Sequence, residues 1–292
     1  MRNLILTMTL LLAVTVGGCS DDEEVVADPL GWWSTEVWGT GPNDVLSLGF
    51  DADRAAPFIQ RGNLNGWTST ELDVSDLVAE YKEIFGQDRE PLFELWAAGG
   101  PAGHVHLAGN LGVVYREAPG GWERVYSGLR LTDWRGVWAT DEHVFVVGTF
   151  GKILRLEGDQ YVLDEPVDHD LMAVWGSAPN NVWAVGNGTL HWNGTVWQTI
   201  DIGPELLYVT IDGRSASDIF VGGDAGVILH YDGMAWSEDY RHTRAGIADI
   251  QCFDDGTVVA LAPREDGGTD FLERRDGSWH HSGQIAGVTL DA

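Results

Sequence analysis

The chain is expected to be all-β, a propeller of six four-stranded blades, with seven blades as the alternative. Three observations lead there. The last aromatic of each repeating unit falls at Trp67, Trp122, Tyr161, Trp197, Trp236 and Trp279, giving spacings of 55, 39, 36, 39 and 43 residues; a period of about 40 with four short strands is the mark of propeller blades. Apolar residues sit on consecutive positions in short runs such as Val144 to Val147 and Val182 to Val185, which suits strands covered on both faces. Asn193-Gly194, Asp232-Gly233 and Asp276-Gly277 bound such runs as hairpin turns that supply positive φ.

The units read in order as follows. Val37-Trp38-Gly39 to Trp67 is a loose first copy, and Leu95-Trp96 to Trp122 is the second. Val137-Trp138 with Val144 to Gly148 opens the third, Val174 to Trp197 is the clearest, Asp218 to Trp236 is the fifth, and Ile247 to Trp279 is degenerate. Ile285 to Leu290 reads as the start of a further blade or as a strand closing the ring. Gly109, Gly112, Gly148, Gly151, Gly223 and Gly226 recur at one place in successive units with no helix behind them, so they are turn glycines rather than a phosphate cradle.

The long first spacing is explained by a helical insertion at about 73–90. Ser75 is placed to cap it, Leu77, Tyr81, Ile84 and Phe85 to line one face, and Gly86 to end it.

The N-terminal residues carry an address. Met1-Arg2-Asn3 is a short positive start, Leu4 to Val16 is apolar apart from threonines, and Gly17-Gly18-Cys19 follows, the three-part layout of a signal peptide. A run of thirteen residues falls short of the about 20 that span a bilayer. Val16-Gly17-Gly18-Cys19 resembles the lipobox of bacterial lipoproteins, which implies lipid attachment at Cys19 after removal of residues 1–18. Several acyl chains would make that anchor effectively permanent. Ser20 lacks the aspartate that the lipoprotein sorting rule reserves for inner-membrane retention, so the resemblance implies the outer membrane. Residues 19–31, with Asp21-Asp22-Glu23-Glu24, form an acidic tether, and 32–292 form the propeller domain.

Composition excludes some partners. Removing Arg2 leaves 16 basic residues against 45 acidic ones, with no basic cluster. Nucleic acid is therefore not expected as a partner, because phosphate backbones are bound through clustered Lys and Arg. With Cys19 lipidated, Cys252 is the one remaining thiol, so no internal disulfide is expected.

The pattern from Val174 to Trp197 resembles repeat-containing bacterial envelope lipoproteins whose propeller blades are akin to kelch and Asp-box blades. The likeness covers roughly residues 36 to 280 and speaks to architecture rather than chemistry. No catalytic, cofactor or metal residue is expected. His104 and His106 have the spacing of a ligand pair, but the repeat puts His106 where Phe145, Trp183 and Phe220 stand, and no third ligand is apparent. His191 and His230 share a position with Tyr115, Arg155 and Glu273, which reads as solvent-facing. Asp44, Asn181 and Asp218 share a turn where they are expected to bond their own backbone. Nothing in the spacing singles out a carboxylate pair, and the arginines are scattered. The function expected is a binding or interaction module, anchored to the membrane through lipid on Cys19 and directed at an envelope protein or a glycan. The alternative is a polysaccharide-acting hydrolase or lyase with its site at the propeller channel. An enzyme would bring Asp, Glu, Arg or Tyr from different blades into one pocket with unlike environments.

Overall fold

A computed structural model of the chain describes residues 32–285 apart from 42, 52–55, 64, 89–90, 129–131, 243–245 and 265–266. Residues 1–31, with the expected signal peptide, Cys19 and tether, lie outside the described residues, as do 286–292.

Six sheets of four antiparallel strands follow one another, each built from four consecutive strands. Blade 1 holds β1 (Trp32–Gly41), β2 (Asp44–Asp51), β3 (Ala56–Asn63) and β4 (Gly66–Glu71), and helix α1 (Ser75–Phe85) follows it. Blade 2 holds β5 (Leu95–Gly99), β6 (His106–Gly109), β7 (Val113–Ala118) and β8 (Gly121–Ser127). Blade 3 holds β9 (Trp134–Ala139), β10 (Val144–Gly148), β11 (Ile153–Glu157) and β12 (Gln160–Asp164). Blade 4 holds β13 (Leu171–Ala178), β14 (Asn181–Gly186), β15 (Thr189–Trp192) and β16 (Trp197–Thr199). Blade 5 holds β17 (Tyr208–Ser215), β18 (Asp218–Gly223), β19 (Val227–Tyr231) and β20 (Trp236–Arg241). Blade 6 holds β21 (Asp249–Cys252), β22 (Val258–Pro263), β23 (Thr269–Arg275) and β24 (Ser278–Ile285). Six blades is therefore the count, and Ile285 ends the outer strand of the sixth.

The first strand of each blade is innermost: β1 packs on β5, β5 on β9, β9 on β13, β13 on β17 and β17 on β21. Second strands are the most buried, with Val144 to Gly148 and Val182 to Gly186 wholly enclosed. This is what their unbroken apolar runs require, since a neighbouring blade covers each face. The aromatics that set the sequence period all lie on the outermost strands.

Backbone crowding explains the glycine that ends the second strand. A Cβ at Gly109, Gly148, Gly186 or Gly223 would come within 1.8 to 2.3 Å of the carbonyl oxygen preceding the inner strand of the same blade, far inside contact distance. The Asp276-Gly277 turn has both residues at positive φ, 50° and 78°. At Asn193-Gly194 and Asp232-Gly233 only the glycine does. There the side chain shapes the turn, Asn193 Oδ1 accepting from the backbone of Thr195 and Val196, and Asp232 Oδ1 from Met234 and Ala235.

Two details of α1 differ from expectation. Ser75 is its first residue rather than its cap, and the Ser75 N–H donates to Asp73 Oδ1 at 3.0 Å. Leu77 and Val78 pack on the core beside Phe93 and Tyr115, whereas Ile84 is exposed. The helix meets the propeller mainly at its N-terminal turn, and so the buried stripe stops short of Ile84. Gly86 ends the helix, donating to the Lys82 carbonyl.

Candidate functional site

The inner strands enclose a channel cavity of about 600 Å³, partly open to solvent, that reaches the loops joining the first and second strands of blades 2 and 3 at Gly100 to Ala102 and at Thr140 and Asp141. Pairing with the second strands aligns Val37, Ala98, Val137, Val174, Ile211 and Ile250 as equivalent residues. One residue before them stand Glu36, Ala97, Gly136, Ala173, Thr210 and Asp249. One residue after stand Trp38, Gly99, Trp138, Trp175, Asp212 and Gln251. The inner-strand repeat is thus apolar in blades 2, 3 and 4 and polar in blades 5 and 6.

The apolar side is held by indoles. A Cβ on Gly176 would lie 2.9 Å from the Trp138 ring, and one on Gly213 would lie 2.9 Å from the Trp175 ring. Each tryptophan therefore packs against the glycine of the following blade, an approach any side chain would block. Where blade 5 meets blade 6, Asp212 takes the tryptophan's place. Its Oδ2 accepts from the backbone N–H of Cys252 at 2.7 Å and from Gln251 Nε2 at 3.0 Å. Thr210 Oγ1 donates to Asp249 Oδ1 at 3.2 Å and accepts from the Ile250 N–H at 3.1 Å.

Across the seam between blade 6 and blade 1, Asp249 faces Glu36. Burial, reinforced by the Asp249 charge, pushes the Glu36 carboxyl well above the ordinary carboxylate range. Four carboxylates, Glu36, Asp141, Asp212 and Asp249, line the cavity, and no Lys, Arg or His is among the described residues that do. Carboxylates of unlike environment from different blades therefore converge, which the spacing in the sequence did not single out. The signal was present in the repeat: a charged residue at 36 and 249 stands where other blades carry Ala97, Gly136 and Ala173.

The histidines have structural work. His106 is enclosed between blades 2 and 3, its Nδ1 donating to the His104 carbonyl at 3.0 Å and its Nε2 accepting from the Tyr161 hydroxyl at 2.9 Å. His104 itself is exposed. Burial holds the His106 imidazole down at about 4. The expected solvent-facing role of His191 and His230 is corrected. His191 stacks on Trp183 at 4.3 Å and donates to Asn181 Oδ1, while His230 stacks on Phe220 at 4.2 Å and donates to Asp218 Oδ1. The expected backbone bonds of Asp44, Asn181 and Asp218 are corrected in the same observation, since Asp44 pairs with Arg61. A polar residue opening the second strand thus anchors a cation or imidazole on the third. Arg155 is paired with Glu157 and Asp164, and Arg274 with Asp239. Among the described residues, no three His, Cys, Asp or Glu side chains are grouped to hold a metal.

No family model and no curated protein sequence matches this chain. Solved structures do. The WD40 propeller domain of Doa1 superposes with a TM-score of 0.64 at 10% identity, over 87% of this chain and 82% of that one. The fold they share with this chain is the β-propeller. YCF48 bound to D1 peptide matches this propeller with a TM-score of 0.62 at 13% identity, over 87% and 81%. YCF48 from Cyanidioschyzon merolae gives 0.58 at 16% identity, over 86% and 88%. At these identities the likeness speaks to the fold of the propeller, not its chemistry.

Proposed function

We propose that the protein is an interaction module, held at the outer membrane by lipid on Cys19, whose propeller binds a segment of an envelope protein at the channel. The observation that carries this reading is the cavity itself, lined by residues from all six blades and partly open to solvent. A propeller of the same shape has been solved with a bound peptide, which supports a polypeptide rather than a glycan as ligand. The acidic tether spaces the ring from the lipid surface. The test is a pull-down of residues 20–292 from envelope extract with a glycan array on the same preparation. A protein retained through moderate salt and lost when the channel is altered supports the reading; glycan retention alone overturns the choice of ligand. Lipidation is tested by mass spectrometry of the intact chain, where Cys19→Ser should abolish acylation.

A second reading, hydrolysis of a polysaccharide in the channel, is favoured by the unlike settings of the converging carboxyls. Turnover of a glycan that ceases in Glu36→Gln would favour it over the first.

A further inference from the structure

We infer that the face of the ring on which the chain enters is a contact surface for a zwitterionic lipid bilayer, seated through exposed apolar tips of blades 1 to 3, so that the channel mouth points away from the membrane. The inference rests on the lipid anchor at Cys19 and says which way the anchored ring faces.

Topology supplies the first argument. Each blade holds four consecutive antiparallel strands, so the chain returns to its starting face before each new blade, and every first strand runs from the entry face at Trp32 to the face that carries the loops between first and second strands. The cavity reaches those loops in blades 2 and 3. The turns between second and third strands and the links between blades, α1 among them, lie on the entry face. The 12 residues from Ser20 to Gly31 separate Cys19 from β1, and such a length of chain reaches at most about 45 Å. Because β1 is the innermost strand of blade 1, turning the opposite face to the membrane would use most of that reach in passing three strand spacings of about 4.8 Å each and then the depth of the ring. The entry face is therefore the one the anchor holds against lipid.

The surface of that face supplies the second. Ile84 and Leu92, 55% and 45% exposed, lie on the link between blades 1 and 2, and Phe150, 57% exposed, on the turn between the second and third strands of blade 3. Exposed Leu163 joins them near the end of β12 that pairs with the start of β11. Beside Ile84, the Tyr81 and Phe85 rings pair at 4.6 Å on the part of α1 beyond Leu77 and Val78, which pack on the core. Phe150 has a φ of 59°, a conformation glycine adopts more readily than phenylalanine, so the turn itself gains nothing from the ring. A flat bilayer meets separated tips on one face at once, whereas a bound polypeptide needs them contiguous. Tyrosine and apolar side chains together suit the boundary of headgroups and acyl chains. Asp76, Glu80 and Glu83 outnumber Lys82 on α1, so the lipid surface that fits is zwitterionic, an anionic one being attractive to basic segments.

The experiment is hydroxyl-radical footprinting of the chain from Cys19 to Ala292, its Cys19 thiol coupled to a maleimide-bearing phospholipid in phosphatidylcholine vesicles. Cys252 is buried and should stay unmodified. The control, capped at Cys19 and so untethered, is mixed with the same vesicles. Expected on tethering is a fall of about threefold or more in labelling at Ile84, Leu92 and Phe150, since a short tether raises the effective concentration of lipid and each tip leaves water. Val196 and Met234, exposed on third-to-fourth-strand turns of the opposite face, should keep their labelling. Combining Ile84→Ser, Leu92→Ser and Phe150→Asn should remove the protection of Tyr81 and Leu163, and phosphatidylglycerol in the vesicles should weaken protection of the wild type. Unchanged labelling on tethering overturns the inference, as does equal protection of both faces or protection that grows with phosphatidylglycerol. A fall produced by envelope protein and not by lipid makes the face a protein contact and overturns it too. The anchor is judged apart, by the mass of the intact chain from cells. Protection on vesicles with no acyl chain on that chain overturns the anchor and leaves the lipid-facing surface; acylation without protection does the reverse.

Discussion

The junctions between blades 3, 4 and 5 and the junction between blades 5 and 6 solve one packing problem with opposite chemistries. In the former, Trp138 and Trp175 lie on Gly176 and Gly213. In the latter, Asp212 at the equivalent position accepts from the backbone of Cys252 and from Gln251. Either device ties an inner strand to its neighbour. The indole gains through buried area and the carboxylate through directed hydrogen bonds, and only the second leaves polar groups facing the channel. The ring therefore owes its cohesion mainly to its apolar half and its chemistry to the other.

The apolar junction is tested most directly at Trp175. Trp175→Ala should destabilise the fold by about 3 to 5 kcal/mol, the range for truncating a buried aromatic, read from the urea midpoint at constant slope. A cost no greater than that of Asp212→Ala would mean that the two junctions contribute alike. His106 forms a third kind of junction, polar but enclosed, between blades 2 and 3. Its imidazole titrates at about 4 in the fold and at about 6.5 when unfolded. The group's contribution is fully present above the unfolded value and falls away as pH drops from there toward 4. It amounts to about 3 kcal/mol. The stability difference between wild type and His106→Gln should shrink by about that amount between neutral pH and pH 4, in parallel urea titrations.

Asp212→Ala comes next, at about 1 to 3 kcal/mol, the cost of leaving a buried N–H without its acceptor. Glu36→Gln should differ in sign. A carboxyl whose folded pKa is raised weakens the fold as pH climbs above its unfolded value, so the variant should melt higher than wild type at pH 8 and equal to it in mild acid. Smallest is Met234→Ser on a turn tip, 88% exposed, which should change the melting midpoint by an amount equivalent to under about 0.5 kcal/mol.

The ring was legible in the sequence because its determinants are local and repeated. Trp67, Trp122 and their counterparts mark one outer strand per blade, and Gly148 and Gly223 mark one crowded approach each. The helix at 75–85 was legible from its apolar spacing, but which of Leu77 and Ile84 is buried depends on where the helix meets blade 2. The pairs His191 with Asn181 and His230 with Asp218 were missed because they join side chains across strands, ten and twelve residues apart, while short polar residues in turns usually bond locally. The channel carboxyls were missed for a related reason. Residues 36, 212 and 249 approach one another only once the chain has closed on itself, and their oddity shows only when inner strands are compared position by position.

Each blade is complete within its own four consecutive strands, and this has a consequence for assembly. A blade can finish its pairing soon after its last strand is available, without waiting for residues far along the chain. The sole step that joins the two ends of the described chain is the meeting of blade 6 with blade 1, where Asp249 comes to face Glu36. The most demanding event in building the ring is thus also the one that brings these two carboxyls together at the channel.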